Sequence, residues 1–420
     1  MISWKKSFYT FAVAIIVLLT TATSYAKSFT FSTNSKEAKG YIVQALRQVD
    51  SFQLPAKVQE LAKKSVEADP NFAFAHYLVG ATTFPPAEGR KHIDRALELA
   101  KEASDAERRY LEAISLNLSQ KPNDAVKILV ELESEYPQER LVKMMLGQIY
   151  FNQGKIDEAK PLFEKAVKLD PTTPRAYSFL GNIYLLKENY IKARLMYQAS
   201  LKRRLKETAP FAPNYGLAYT YIYQGNLASA LKTLENYKNE YIRTGGFPDL
   251  PAVFIWNSIA RLMLENGRPE DAIKAYEKGY ETVPGSTMEE QEKTIWLGRL
   301  HHGKGRALSK MGKSAEAWKE AEQIQKMIEE NGERGKQFTP SYHYIAGYLK
   351  LQDGDYKAAI EHLQQANQND LFHKFLLATA YEKSGEIEKA QKIYREIVDS
   401  KQVNLERALT YQEAKKKLKS

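Results

Sequence analysis

Small and large residues alternate at fixed offsets along this chain, and the pattern returns after 34 residues, the distance from Gly147 to Gly181. One copy reads Leu146-Gly147-Gln148-Ile149-Tyr150, then Gly154, Ala159, Phe163, Ala166 and Pro171. The next reads Leu180-Gly181-Asn182-Ile183-Tyr184, then Ala193, Tyr197 and Ser200. A period of this size means stacked helical units, each touching its sequence neighbours, rather than one central core. Gly147 and Ala159 have almost no side chain, so two antiparallel helices can approach closely while Tyr150 and Phe163 fill the space beside them. Pro171 stops the second helix.

Aligning on the turn glycine and the alanine after it adds Gly225 with Ala230, Gly267 with Ala272, Gly312 with Ala317, Gly354 with Ala359, and Gly385 with Ala390. Seven marked units then start near residues 140, 174, 211, 253, 298, 340 and 371. Wider spacings place insertions at Lys206 to Pro210, Gly245 to Pro251, Gly285 to Glu292 and Asn331 to Thr339, rich in Gly, Pro and charge. Weaker units start near 39, 73 and 106: they keep Gly80, Ala113 and Ala125, but one turn carries Pro85-Pro86 and the next lacks the glycine. Residues 404–420 add a last helical stretch with Lys415, Lys416, Lys417 and Lys419, the polar cap such a stack requires.

The two complete copies resemble tetratricopeptide repeats (TPR), a helix, a tight turn and a second helix. The resemblance implies an all-α, right-handed superhelix of about ten helix pairs with a C-terminal capping helix. It divides the chain into irregular units over 27–139, regular units over 140–403 and the cap over 404–420. A narrower likeness joins Ser32-Thr33-Asn34-Ser35-Lys36-Glu37-Ala38 and Glu67-Ala68-Asp69-Pro70-Asn71-Phe72-Ala73-Phe74-Ala75 to the TPR sensor tails behind bacterial serine/threonine kinases and adenylate cyclases. No kinase glycine loop or catalytic-loop motif precedes them here, so only the repeat part of that likeness transfers.

Residues 1–26 read as a secretory signal peptide: Lys5 and Lys6, the apolar run Phe11 to Leu19, and Ser24-Tyr25-Ala26 with small residues at the cleavage positions. The run is far shorter than the roughly 20 residues a spanning helix needs. Cleavage after Ala26 is expected, giving a periplasmic or secreted product without membrane insertion. The net charge of +10 falls to +8 with Lys5 and Lys6 removed, and for an exported protein nucleic acid is a poor expectation. Cysteine is absent, which excludes zinc ribbons, iron–sulfur clusters and cysteine nucleophiles.

The sequence offers no catalytic set and points to no cofactor or metal. Gly298-Arg299-Leu300-His301-His302-Gly303-Lys304-Gly305 has the spacing of a phosphate loop up to its lysine, but Gly305 stands where Ser or Thr would hold magnesium, and the stretch falls in the first helix of a unit. His301 and His302, adjacent on a helix, diverge by about 100° and cannot grip one metal as an i, i+4 pair can. His343 repeats the position of His301 one unit on.

In TPR domains the first helices line the concave face, and the resemblance transfers their ligand-facing places onto Arg175, Ser178, Asn182, Tyr215, Tyr219, Tyr223, Asn257, Arg261, Arg299, His302, Arg306, Tyr344 and Tyr348. Tyr and Arg are the types enriched at binding hot spots. Glu265 is the one carboxylate among these places, so an electropositive groove and an acidic or polar extended peptide are expected. The Lys, Asn and Arg set that clamps chaperone tails is not reproduced. The expected function is a non-enzymatic protein- or peptide-binding scaffold; the alternatives are an enzyme with a site in the irregular units near Pro85-Pro86 and His92, and a structural spacer.

Overall fold

A computed structural model describes residues 29–52, 55–83, 86–246 and 250–419. The export segment expected over 1–26 lies outside the described residues, as does Pro85. The chain forms two compact units, Met1–Val49 with Gln53–Ala176, and Tyr177–Ser420 with Asp50–Phe52. Among the described residues both are helical, without a β-strand.

The first unit contains α1 (Lys36–Asp50), α2 (Pro55–Ala68), α3 (Ala73–Thr82), α4 (Pro86–Leu99), α5 (Asp105–Leu118), α6 (Pro122–Glu135), α7 (Arg140–Asn152) and α8 (Ile156–Leu169). Helices α3 with α4, α5 with α6 and α7 with α8 pack as antiparallel pairs. Ahead of α1, Phe29 and Phe31 sit edge-on to Tyr110, Tyr136 and Phe72. The buried Glu107 carboxylate accepts hydrogen bonds from the Ser32 and Phe74 amides. The segment from Phe29 onward is thereby stitched to α3 and α5.

Helix α9 (Pro174–Leu186) leads into the second unit, which continues with α10 (Tyr190–Arg203), α11 (Phe211–Ile222), α12 (Leu227–Arg243), α13 (Val253–Glu265), α14 (Pro269–Tyr280), α15 (Glu290–Lys310) and α16 (Ser314–Glu330). It ends with the one-turn α17 (Gly332–Gly335), α18 (Thr339–Gln352), α19 (Tyr356–Leu363), α20 (Leu371–Lys383), α21 (Ile387–Asp399) and α22 (Leu405–Lys417). Asn189, Asn226, Asp355, Asp370 and Asn404 cap helix starts by accepting backbone amides.

Turns between paired helices need a residue in the left-handed region, and Gly154, Gly225, Gly267, Gly312, Gly354 and Gly385 supply it with φ of 73 to 87°. The unit starting near 174 departs from the expected marks: Glu188 occupies its turn at φ 57°, with the same closing bonds from Glu188 N to Leu185 O and from Asn189 N to Tyr184 O. A non-glycine residue is held there at a cost on the order of 1 kcal/mol or more.

The helix-packing glycines fit as the repeat requires. The Phe163 ring lies 3.0 Å from where a Cβ on Gly147 would stand. The fully buried Tyr197 ring wedges between two glycines, 2.5 Å from a Cβ on Gly181 and 2.3 Å from one on Gly216. Gly303 and Gly305 of the phosphate-loop-like stretch lie inside α15, against Tyr276 and Ile345, so helix contact accounts for both. The cap expectation is corrected: α22 is more than a polar end. Leu405, Arg407, Ala408, Tyr411 and Ala414 are buried, and α22 packs on α20, α21 and also α11, five units back along the chain.

We expect Gly216→Ala to cost about 1–3 kcal/mol in a urea titration, since the enclosed Tyr197 ring cannot yield. Gly285→Ala, with open space around the new methyl, should stay within about 0.5 kcal/mol of the native chain. Equal stability of both variants contradicts the interlock.

Candidate binding pocket

The first helices of successive pairs in the second unit, α11, α13, α15, α18 and α20, line a cavity of about 580 Å³. Val403 to Glu406, entering α22, close one side and Gln337 to Ser341 another. Phe211, Tyr215, Tyr219, Phe254, Trp296, Phe338 and Tyr344 give the walls an aromatic character. Polar and charged groups share the lining, Asn257, Arg261, Arg299, His302, Asp370 and Glu406 among them, and the volume lies in the range of small-ligand and short-segment sites.

Seven of the residues singled out from sequence meet here: Tyr215, Tyr219, Asn257, Arg261, Arg299, His302 and Tyr344. Tyr215 is buried, its hydroxyl bonded to Ser258 Oγ at 2.9 Å and donating to the Phe254 carbonyl at 3.2 Å. Arg261 forms an ion pair with Glu406 and lies over the Phe372 ring. Arg299 is exposed and stacks over Trp296 at 4.4 Å; among the described residues no carboxylate pairs with it. The Tyr344 ring lies between two histidines, edge-on to His302 at 5.3 Å and stacked on His373 at 4.0 Å.

Six of the thirteen groove places stand elsewhere, Ser178 among them, buried in α9. Arg175 belongs to the first unit, donating to Gln148 at 3.0 Å. Asn182 accepts the Tyr197 hydroxyl at 2.7 Å. Tyr223 is covered by α22, its hydroxyl accepting from Arg407 at 2.6 Å. Arg306 is buried, ion-paired with Glu265 and lying 5.3 Å over Tyr348, which is itself buried. Helices wind as they stack, so equivalent sequence places reach the cavity only over the span where α22 leaves room.

The electropositive lining is also corrected, because Asp370 and Glu406 face the cavity beside the arginines. Asp370 accepts the Phe372 and His373 amides at the start of α20. Asp370 and Trp296 each precede the expected start of a unit, near 371 and 298, and Glu406 falls in the expected cap, so none of the three is among the ligand-facing places. The N-cap pattern at Asp370 was the one available signal.

Burial lowers the His302 pKa well below the ordinary 6.5, and the Arg299 and Arg306 charges depress it further. Burial lowers His373 too, against the pull of Asp370. Both rings are therefore neutral at pH 7, and Nδ1 of each, like Nε of Arg261, is buried without a hydrogen-bond partner. The adjacent His301 turns away, bonded to Glu320 at 2.6 Å, and His343 meets His362 at 2.9 Å. Among the described residues no three potential ligands gather for a metal. In the first unit His92 stacks on His76, and a cavity at Tyr77, Ile93 and Ile114 measures about 10 Å³, room for one water.

A histidine whose folded pKa is depressed makes the unfolded chain the better proton acceptor. Stability should therefore fall as pH drops from about 7 through 6.5, with the unfolded imidazoles taking up protons first. His302→Gln should flatten that slope in melts between pH 7.5 and 5; an unchanged slope contradicts a neutral buried His302.

Residues 147–187 match the family model described as TPR repeat, and residues 350–414 the model described as tetratricopeptide repeat. The kinase- and cyclase-tail likeness lies outside both stretches. Among solved structures, the chain is similar to a tetratricopeptide repeat protein from Parabacteroides merdae ATCC 43184 at 17% identity, over 66% of this chain and 98% of that one, with a TM-score of 0.47. Similarity to the APC/C hetero-tetramer Cut9-Hcn1 is at 15% identity and TM-score 0.45, over 87% of this chain, which spans 57% of that one. YrrB, a TPR protein with an unusual peptide-binding site, aligns at 22% identity over 40% of this chain and 88% of its own, with a TM-score of 0.24. Over residues 147–187 and 350–414, then, this chain carries tetratricopeptide repeats, and the helix pairs seen there are the form such repeats take.

Proposed function

We propose that this protein is a non-enzymatic scaffold of the periplasm or cell envelope, and that its second unit takes a short acidic or polar segment of a protein partner into the cavity beside α22. TPR repeats are protein-interaction scaffolds. The observation that carries the finer reading is Arg299, a cation without a carboxylate partner, poised over Trp296 at the edge of an aromatic cavity. Guanidinium groups bind carboxylates through paired, charge-assisted hydrogen bonds, and aromatic walls add contact area at low entropic cost. The other charged groups of the lining are engaged: Arg261 with Glu406, and Asp370 with two backbone amides. Recognition rather than proton transfer is what such a set supports. Export rests on the sequence pattern of residues 1–26, Lys5 and Lys6, the short apolar run and Ser24-Tyr25-Ala26.

Affinity capture from envelope extracts, with the mature chain as bait and mass spectrometry of what is retained, tests both parts. Arg299→Glu should reduce recovery of the native partner at least ten-fold and weaken the salt dependence of its binding, while exposed Lys127→Glu in the first unit should not. Equal capture by Arg299→Glu places recognition outside the cavity. N-terminal mass spectrometry should find Lys27 first; retained Met1 contradicts export by cleavage.

A further inference from the structure

Resting on the cavity as the recognition site, a second question is which charge the site accepts, and the answer turns on a residue delivered from the far end of the chain. Helix α22 is anchored along its length. Arg407 donates to the Tyr223 hydroxyl and lies 4.3 Å over Tyr411. Gln412 donates to the Tyr223 carbonyl at 2.8 Å. Tyr411 and Lys415 donate to the Glu188 carboxylate at 2.9 and 2.7 Å, and Lys417 to Glu382 at 2.6 Å.

The left-handed turn at Glu188 gains a purpose from these contacts. Where other units place glycine, this one carries a carboxylate that holds the C-terminal helix in register. That register puts Glu406, in the first turn of α22, on Arg261 at the cavity wall. Pairing by pairing, Glu406 neutralises Arg261, the amides at the start of α20 compensate Asp370, and behind the wall Arg306 pairs with Glu265, which it shares with Lys310. Arg299 alone remains among the charged lining residues described.

We infer that Glu406 is a specificity-determining residue: by occupying Arg261 it leaves one cation for the ligand, and so selects segments with a single negative group beside an apolar side chain over segments with two. A second carboxylate would meet Glu406 and Asp370 with no free cation to receive it, and unpaired like charge in a partly enclosed site is disfavoured.

The test uses the full mature chain and acetylated, amidated pentapeptides with a central phenylalanine and zero, one or two aspartates, titrated by calorimetry. The native protein should bind the singly charged probe tightest. Glu406→Gln frees Arg261 and should shift the ratio of doubly to singly charged affinity upward by about ten-fold or more. Arg261→Gln combined with Glu406→Gln restores the charge count and should return the native preference, which separates charge selection from damage to the fold. A preference unchanged in Glu406→Gln overturns the inference while the cavity reading stands. Native protein that binds no probe, or binds the uncharged one equally well, overturns both.

Discussion

Several stacked units depend on one contact, a glycine of a first helix lying under a large side chain of its neighbour. Phe163 on Gly147, Tyr197 between Gly181 and Gly216, and Tyr276 on Gly303 are instances. Each sets how closely two helices approach, and close packing then fixes the rotation from one pair to the next. A methyl at Gly216 would stand 2.3 Å from a ring with no solvent-facing side to retreat to. The cavity inherits part of its geometry from such contacts, because α11, α15 and α18, which help to bound it, carry packing glycines.

Helix α22 adds a constraint that nearest-neighbour stacking lacks. By reaching Glu188 and Tyr223 it ties the start of the second unit to its end. Burial lifts the Glu188 pKa, but the Lys415 and Tyr411 hydrogen bonds outweigh this and hold it below the ordinary 4.5. The carboxylate is therefore ionised at neutral pH and its grip fades only as pH falls below that value, a window separate from the histidine range. The same helix consumes part of the face the repeat pattern assigns to ligand and contributes Glu406 in return.

The repeat, the helix pairs and the packing glycines were legible because they follow from local spacing: a small residue opposite a large one is written into each unit. The chemistry of the first helices was half legible. Arg261, Arg299, His302 and Tyr344 sit where the unit register places them, since position within a helix fixes the face a side chain presents. Tyr223, Arg306 and Tyr348 were misread because their partners are remote in sequence: Arg407 lies 184 residues from Tyr223. Glu188 was legible only as a missing glycine; that its carboxylate meets Lys415 depends on the winding of the whole stack. Charge balance in the cavity was hidden for the same reason, as Glu406 arrives from outside the repeats.

The central claim is that the C-terminal helix is an integral wall of the second unit, folded against its early helices, and not a frayed terminal cap. Native-state hydrogen exchange of the mature protein measures this directly, because amide protection reports the free energy of local opening. The account predicts that the amides of α22 exchange as slowly as those of α11, and that Glu188→Ala speeds exchange in α22 before any other helix. Rapid exchange of α22 in the native protein, with α11 still protected, would contradict it.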